Sequence, residues 1–239
     1  MNPVVVAETL RRHLTSAGYL AFIIVVVLIG LFAATFHAPG SMWPSLAGLL
    51  AMITGSSIIG PEFGSGELQL IVSKPISRSE YLLSRVSGVF LCVAIATLAG
   101  LAAEVGGRLV RGEIPWSPIL TVLAGSLVTS LLTISILALL GSMTRSYFNA
   151  AIYFGTQLVL SVAQGILGMM RMKRTGFGNI LRDNLWIERA LGSIDQILFA
   201  SPPGSLTMVW LLRTAATILA ALVLACLIFQ RREVPYGTD

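Results

Sequence analysis

Long blocks of apolar residues, broken by short polar stretches, follow one another along most of the chain. Six of them are roughly twenty residues long, the length that an α-helix needs to cross the hydrocarbon core of a membrane. They occupy residues 17–36, 43–60, 82–105, 119–141, 149–170 and 206–229. Because apolar residues fill each block and do not alternate with polar ones, the pattern favours helices over a β-barrel. It predicts an all-α polytopic membrane protein with six transmembrane helices.

Two segments outside these blocks have one apolar and one charged face. Ahead of the first span, within residues 1–16, the apolar positions recur at helical spacing at Val4, Val5, Ala7, Leu10 and Leu14. In the long connection at 171–205, one helical face carries Ile187, Ala190, Leu191, Ile194 and Leu198. Both patterns are typical of amphipathic helices that lie on a membrane surface. We expect the second one on the outer side, just before the last span.

The composition supports a membrane protein and excludes an ordinary soluble enzyme. Of 239 residues, 55% are apolar and only 11% are charged, whereas soluble domains carry about 25% charged residues. Six spans leave no room for a separate globular domain, so residues 1–239 are expected to form a single transmembrane domain. The net charge of +5 is attributed to basic side chains that meet anionic membrane lipids, and nucleic acid is not expected as a partner.

The distribution of basic residues indicates the orientation only near the first span. Arg11 and Arg12 precede that span, and the short loop after it has no Lys or Arg. Over the whole chain the count is almost balanced, with eight on the inner side and seven on the outer side. We therefore expect both termini in the cytoplasm and the chain in the plasma or inner membrane. Residues 1–18 carry charges and no cleavage-like site, so a removable signal peptide is not expected.

Signatures of catalysis and of metal binding are missing from the sequence. It contains neither a Gly-x4-Gly-Lys-Ser/Thr phosphate loop nor a His-Glu-x2-His zinc motif, so no catalytic or metal-ligating residue is assigned. The histidines, His13 and His37, lie outside the spans or at their ends. Glu104 is the only acid within a span, and Arg108 follows four residues later. This spacing favours an ion pair at the membrane interface over a proton relay.

Uncharged polar residues lie on one face of each of two neighbouring spans. They are Gln157, Ser161 and Gln164 in span five, and Ser126, Ser130 and Thr133 in span four. Small and amide side chains at such positions promote close packing and hydrogen bonds between transmembrane helices. The same residues are candidates for a substrate path between subunits, and the sequence leaves both interpretations open.

The connection between spans two and three, residues 61–81, carries the most specific local pattern. Its Ser77 and Glu80 form a capping box, which predicts a helix that begins after Ser77 and continues into span three. Upstream, an apolar stripe runs among charged residues at Leu68, Ile71 and Val72. Such an amphipathic segment either lies against lipid headgroups or docks into a groove of a partner protein.

This connection resembles the signature of membrane permease subunits of type-two ATP-binding-cassette (ABC) transporters. That signature has an acid, a Gly-Thr pair, a leucine-rich segment and a Pro-Ile-Ser-Arg turn. The matching residues here are Glu62, Gly66, Leu68, Leu70, Ser73, Pro75, Ile76, Ser77 and Arg78. Glu67 follows Gly66 where the family more often has a threonine. The resemblance extends to the whole architecture, with a surface N-terminal helix, six spans, a long outer segment and a short basic tail.

The resemblance implies which residues would contact a driving subunit. In the family this inner connection is a coupling helix that sits in a cleft of a separate ATP-hydrolysing subunit. The residues carried over to that role, with Glu67 between them, are Glu62, Gly66, Leu68, Pro75 and Arg78. Lys74 and Arg85 are added because of their charge, and Arg145 is added as a second inner contact.

The resemblance also implies the partners and the activity. We expect two cytoplasmic ABC ATPase subunits, which would bind ATP and Mg²⁺, and a second copy of the permease or a homologue. The chain itself is expected to bind no cofactor and to be no enzyme, and export is the expected direction from the resemblance alone. An ion-coupled carrier and a non-transporting membrane scaffold are the alternative functions.

Overall fold

The computed structural model describes residues 1–36, 42–56, 58, 77–112, 116–144, 148–172, 185–199 and 207–231. Within these ranges all regular secondary structure is helical, which confirms the predicted all-α class. The helices are α1 (Pro3–Leu14), α2 (Ala17–Phe36), α3 (Met42–Gly55), α4 (Arg78–Val110), α5 (Trp116–Met143), α6 (Phe148–Met172), α7 (Leu185–Leu198) and α8 (Met208–Arg231).

Four of the described helices are long and apolar enough to cross a membrane: α2, α4, α5 from Ile119 onwards, and α8. The 14 residues of α3 reach only about 21 Å at a rise of about 1.5 Å per residue, which is less than a hydrocarbon core of roughly 30 Å. The helix α6 has 25 residues, but the side chains described in it end at Ile166, and this part alone does not make a full span. Four of the six predicted spans are thus supported by length and composition, and the other two stay predictions.

Local capping interactions set where α1 and α4 begin. Asn2 Oδ1 accepts a hydrogen bond from the backbone N–H of Val4 at 3.0 Å, and Pro3 fills the first helical position, where its missing N–H costs nothing. Ser77 Oγ accepts a hydrogen bond from the N–H of Glu80 at 3.2 Å, which confirms the predicted N-cap. From there α4 runs for 33 residues, about 50 Å, so it is longer than the hydrocarbon core.

The N-terminal helix α1 packs against the first turns of α4. The backbone N–H of Asn2 donates to Ser84 Oγ at 2.8 Å. A Cβ placed on Gly88 would lie 2.7 Å from the Cβ of Thr9, so the two helices touch closely there. A helix is present within residues 1–16, as predicted, and its role as an amphipathic helix on a membrane surface stays a prediction.

The helices α2 and α4 cross in close contact, and α3 packs beside this crossing. A Cβ on Gly30 would overlap the carbonyl oxygen of Gly100, so α2 and α4 approach each other backbone to backbone. Gly100 also faces the ring of Trp43 from α3. Small residues permit such close approach between membrane helices, and the contact then gains dispersion energy along both backbones. Val26 and Leu50 are buried beside this crossing.

The helix α5 joins this part to the rest of the bundle. Its Ile134 and Ala138 belong to the core shared with α2, α3 and α4, whereas Leu132 and Ile136 pack with side chains of α6 and α8. Large apolar side chains on α2, α6 and α8 are exposed on the outside of the bundle. A water-facing surface of this kind would be unfavourable, but lipid chains cover it without cost.

The C-terminal end of α7 lies inside the bundle. The hydroxyl of Tyr153 in α6 donates a hydrogen bond to the carbonyl of Leu198 at 3.3 Å, and the ring centroids of Tyr153 and Phe199 are 5.1 Å apart. Tyr153 also contacts Thr133 in the middle of α5. The sequence predicted that α7 lies on the outer membrane surface. Its end packs between helices because Phe199, one residue beyond the predicted apolar face, adds an aromatic contact there.

Candidate functional site

A cleft lies between α3, α5 and α6, and Phe199 also contributes to its wall. Its volume is about 410 Å³, within the roughly 300–1,000 Å³ typical of small-molecule sites. Three of the six residues predicted for a substrate path line it: Thr133 from α5, and Gln157 and Ser161 from α6. The two polar helix faces noted in the sequence therefore meet at this cleft.

The other three predicted path residues lie outside the cleft wall. Ser126 and Ser130 are buried in α5, where their hydroxyls donate to the carbonyls of Val122 and Leu127 in the same helix at 2.7 and 2.9 Å. Gln164 is half-buried on α6. Small serines that bond to their own helix allow neighbouring helices to approach. Helix packing therefore accounts for Ser126 and Ser130.

The cleft also contains polar residues that the sequence analysis missed: Ser45, Thr129 and Tyr153. Thr129 precedes Thr133 by four residues and Tyr153 precedes Gln157 by four, so each shares a helix face with a residue that was predicted. That spacing was a usable signal. Ser45 belongs to α3, which is distant in sequence, and no local pattern connects it with the other two helices.

Three of the hydroxyl-bearing residues that line the cleft, Thr129, Thr133 and Tyr153, lie next to one another and are called its polar wall. Thr133 Oγ1 lies 3.2 Å from Tyr153 Oη and also donates to the carbonyl of Thr129 at 3.0 Å. The Tyr153 hydroxyl is within 3.3 Å of the carbonyl of Leu198. Thr129 is only 5% exposed, and its Oγ1 has no hydrogen-bond partner within the described part of the chain. The wall thus holds one buried hydroxyl that is unpaired.

Most of the other lining residues are apolar, including Leu49 and Met52 on α3 and Phe154 and Leu158 on α6, and the polar ones among them are Ser45, Gln157 and Ser161. Gly48 keeps the space between α3 and α5 open. A Cβ there would lie 3.6 Å from Thr129 Cγ2 and 3.7 Å from Thr133 Oγ1, which are ordinary contact distances. The cleft therefore offers hydrogen bonds on one side and apolar contacts on the other.

Two of the predicted coupling residues lie at the start of α4. The guanidinium of Arg78 donates to the carbonyl of Gln230 in the last turn of α8 at 3.4 Å, where a cation also interacts favourably with the helix dipole. Arg85 is only 9% exposed, and its guanidinium donates to Thr9 Oγ1 of α1 at 3.3 Å. The predicted contact of Arg85 with a partner stays a prediction, and the hydrogen bond to Thr9 joins α4 to α1. Both arginines connect the start of α4 to neighbouring helices.

The remaining predicted coupling residues lie outside the described ranges: Glu62, Gly66, Glu67, Leu68, Lys74, Pro75 and Arg145. Their role stays a prediction. What the structure does describe is the point where the inner connection enters α4. Because Ser77 caps that helix and Arg78 contacts α8, the C-terminal end of the connection is attached to the bundle at two points.

A buried ion pair lies near the other end of α4. Glu104 is 6% exposed and accepts hydrogen bonds from Arg108 Nη2 at 2.5 Å and from the indole N–H of Trp43 in α3. The predicted pair of Glu104 and Arg108 is confirmed, but it lies within the bundle and includes Trp43. Arg111 donates to the carbonyl of Ala34 at the end of α2 at 2.8 Å. These polar contacts hold α2, α3 and α4 together at this end.

A comparison with known protein families adds an observation about the whole chain. Residues 24–234 match the family model described as ABC-2 family transporter protein. The match covers more than half of the chain, and it includes the cleft, the inner connection at 61–81 and the last predicted span. No curated protein matches the sequence.

Proposed function

The chain belongs to the ABC-2 transporter family, and we propose that it is the permease subunit of an exporter driven by a separate ATPase. The observation that carries this proposal is the family match over residues 24–234. Membrane subunits of this family generally work with ATPase partners. The multi-pass helical bundle supports the same function, because a permease must surround a path across the membrane.

ATP binding and hydrolysis on the partner would act on the inner connection, residues 61–81. This connection leads into α4 through Ser77, so its displacement would act on the start of a helix of 33 residues. The contacts of Arg78 with α8 and of Arg85 with α1 would pass the displacement to two further helices. Packed helices shift as rigid bodies, so a movement at one end changes the packing along the bundle.

The proposed assembly contains two ATPase subunits and a second copy of the permease or a homologue. The ATPases would bind ATP and Mg²⁺ and carry out hydrolysis, while this chain supplies the membrane path. The proposal includes six spans, both termini in the cytoplasm and a location in the plasma or inner membrane. This topology places the inner connection and Arg145 on the side of the ATPases.

The cleft between α3, α5 and α6 is the proposed substrate-binding part of the permease. It combines Thr133, Gln157 and Ser161 with apolar side chains, which suits the binding of a molecule in a membrane. Since α5 packs against both α3 and α6, a rigid-body shift of α5 would change the width of the cleft. Such a change is how movement at the inner end would alter access to a bound substrate.

Retention of an ATPase during purification tests this function. The tagged chain is extracted from its own cells in mild detergent, and proteins that remain bound are identified by mass spectrometry. We expect an ABC ATPase subunit to be retained, and Glu62→Ala to reduce its retention while insertion into the membrane stays normal. Arg11→Ala is the control, because this arginine is exposed on α1.

Two results would contradict the proposed function. Repeated absence of any ATPase would favour the membrane scaffold. Uptake into vesicles that contain only this chain, driven by an ion gradient and without ATP, would favour the ion-coupled carrier. Neither result depends on knowing the substrate of an exporter.

A further inference from the structure

The hydroxyls in the polar wall of the cleft have too few hydrogens for their contacts. Thr133 and Tyr153 take part in three oxygen–oxygen contacts of 3.0 to 3.3 Å, namely with the carbonyl of Thr129, with each other and with the carbonyl of Leu198. Each hydroxyl carries a single hydrogen, so two hydrogens serve three contacts. One oxygen in this group can therefore accept a further hydrogen bond from a ligand.

Thr129 supplies a second, independent indication of a ligand. Thr129 lines the cleft, and its Oγ1 is covered by neighbouring atoms and has no partner among the described residues. Rotation about the Cα–Cβ bond of Thr129 can place Oγ1 where Cγ2 now faces Gly48, and this would bring the hydroxyl to the cleft. A buried polar atom that is unpaired is destabilising, and a ligand that pairs with it removes this penalty. A hydroxyl both donates and accepts. A ligand with two neighbouring hydroxyls could pair with Thr129 and also supply the missing hydrogen to Thr133 and Tyr153.

The charge of the wall restricts the ligand further. Among the described residues that line the cleft, none carries a charge. A charged group that entered the cleft would lose its water without gaining a counter-charge, and this loss of hydration makes its binding strongly unfavourable. The polar part of the ligand is therefore uncharged.

The apolar part of the wall indicates the rest of the ligand. Leu49, Phe154 and Leu158 line the cleft and are each about half exposed. On α6 this apolar surface continues into Val159 and Val162, which are exposed on the outside of the bundle. In a membrane this surface lies beside lipid chains, so a long apolar chain could lie along it while its polar end remains in the cleft.

We propose that the cleft binds an uncharged amphiphile with two neighbouring hydroxyl groups on a long apolar chain, the chemical class of monoacylglycerols. The binding follows from the cleft alone. That such a molecule is the transported substrate, and not a resident membrane lipid, rests on the permease function proposed above.

Binding of radiolabelled 1-monooleoylglycerol to the purified chain in phosphatidylcholine nanodiscs tests the ligand class, with empty nanodiscs as the blank. Two competitors of matched chain length are compared with the unlabelled glyceride. The first competitor is the 2,3-dimethyl ether of the glyceride, which cannot donate a hydrogen bond. The second is oleyl phosphate, which is charged. We expect both to compete at least tenfold more weakly. Equal competition by the ether would overturn the role of the hydroxyls, and equal competition by the phosphate would overturn the requirement for an uncharged ligand.

The variant Thr129→Val tests whether the ligand binds in the cleft. Because the Thr129 hydroxyl is unpaired, its removal should leave thermal stability unchanged or raise it, while binding weakens about three- to tenfold, the worth of a neutral hydrogen bond. Thr97→Val is the matched control, since Thr97 is also a buried threonine with an unpaired hydroxyl, but it lies in α4 outside the cleft wall. Equal binding by the two variants would overturn the assignment of the site.

Gly48→Ala tests the same site by volume. The added methyl group fits at contact distance from Thr129 and Thr133, so the fold should be kept while the cleft becomes narrower. We expect at least threefold weaker binding of the glyceride. Unchanged binding in both Gly48→Ala and Thr129→Val would show that the ligand binds elsewhere on the chain.

Proteoliposomes that contain the chain and its ATPase distinguish a substrate from a resident lipid. ATP-dependent movement of the labelled glyceride between leaflets, reduced by Thr129→Val and unaffected by Thr97→Val, is expected for a substrate. Binding without ATP-dependent movement would overturn its role as substrate and assign a resident lipid. If no ATPase joins the chain, the proposed permease function fails, while the binding measured in nanodiscs is unaffected.

Discussion

Two parts of α3 differ in how completely they are packed: the filled face around Trp43, toward α4, and the open face around Gly48, toward α5. Toward α4, Trp43 donates to Glu104 and its ring covers Gly100. Toward α5, Gly48 leaves room for another methyl group beside Thr129, whose hydroxyl is unpaired. At the filled face the indole N–H of Trp43 is paired and the space is occupied, while the open face has space and an unused hydroxyl. Further along α3, Gly55 packs closely against Leu137 of α5, so the open face is local to Gly48. The contacts around Trp43 join α2, α3 and α4, and the space around Gly48 is where the proposed ligand would bind.

The largest effect on stability is expected when the filled face loses the carboxylate of Glu104. Glu104→Ala removes the carboxylate that accepts hydrogen bonds from Arg108 and from the indole N–H of Trp43 inside the bundle. We expect the free energy of unfolding to fall by about 3 kcal/mol, as for other broken buried pairs. Denaturant titration in detergent measures this. Glu104→Gln keeps an acceptor for Trp43 and should lose less, and an unchanged stability in Glu104→Ala would show that this network does not hold α2, α3 and α4 together.

A methyl group at the crossing of α2 and α4 should have the next largest effect. In Gly30→Ala the new Cβ would overlap the carbonyl oxygen of Gly100, so the helices must separate. Overpacking of this kind costs about 1–3 kcal/mol, measurable by thermal unfolding of the purified protein. Gly18→Ala in the same helix is the control, because nothing lies within 4 Å of its added Cβ. Equal stabilities of the two variants would contradict the close crossing.

Features that depend on neighbours in sequence could be predicted, and those that depend on distant residues could not. The cap at Ser77 and the pair of Glu104 and Arg108 are separated by three and four residues, so helical geometry alone brings their members together. The indole of Trp43 is 61 residues away from Glu104. No period in the sequence connects them, because their contact depends on how α3 packs against α4.

The lengths of the helices also could not be predicted from local sequence. Apolar blocks predicted where helices occur, but the polar boundaries did not fix their lengths, and α3 ends at Gly55, five residues before the predicted end of its span. In the cleft, helical spacing correctly grouped Thr133 with its neighbours on one face of α5. It did not tell which part of that face borders a cleft and which part packs against another helix, so Ser126 and Ser130 were grouped with Thr133.

A smaller effect is expected at the inner end, where α1 is attached to α4. Arg85→Ala removes the hydrogen bond to Thr9 and leaves a gap beneath α1. We expect local opening of α1 to become easier by about 1–2 kcal/mol, seen as faster amide hydrogen exchange in residues 3–14. Exchange in α3 should not change. The control is Arg11→Ala, because Arg11 is exposed. If α1 were protected from exchange equally in Arg85→Ala and Arg11→Ala, Arg85 would not hold this helix.

The smallest effect on stability is expected at Gly48, where an added methyl group should stabilise the protein, in contrast to the destabilisation expected at Gly30. Gly48→Ala adds its methyl group to the open face of α3 at ordinary contact distance. Because alanine favours a helix more than glycine, we expect stability to rise by up to about 1 kcal/mol. Thermal unfolding of Gly48→Ala beside Gly30→Ala measures the difference between the two faces directly. A destabilisation of similar size in both would mean that the open face is as closely packed as the filled one.

The rate of ATP hydrolysis by the retained ATPase, reconstituted with this chain in proteoliposomes, tests most directly whether the permease is driven through the start of α4. Arg78→Ala removes the contact with the end of α8, and Arg11→Ala serves as the matched control. The account predicts that Arg78→Ala lowers the stimulated rate several-fold at equal insertion, while Arg11→Ala keeps the rate of the unmodified chain. Equal rates of ATP hydrolysis with Arg78→Ala, Arg11→Ala and the unmodified chain would contradict this account.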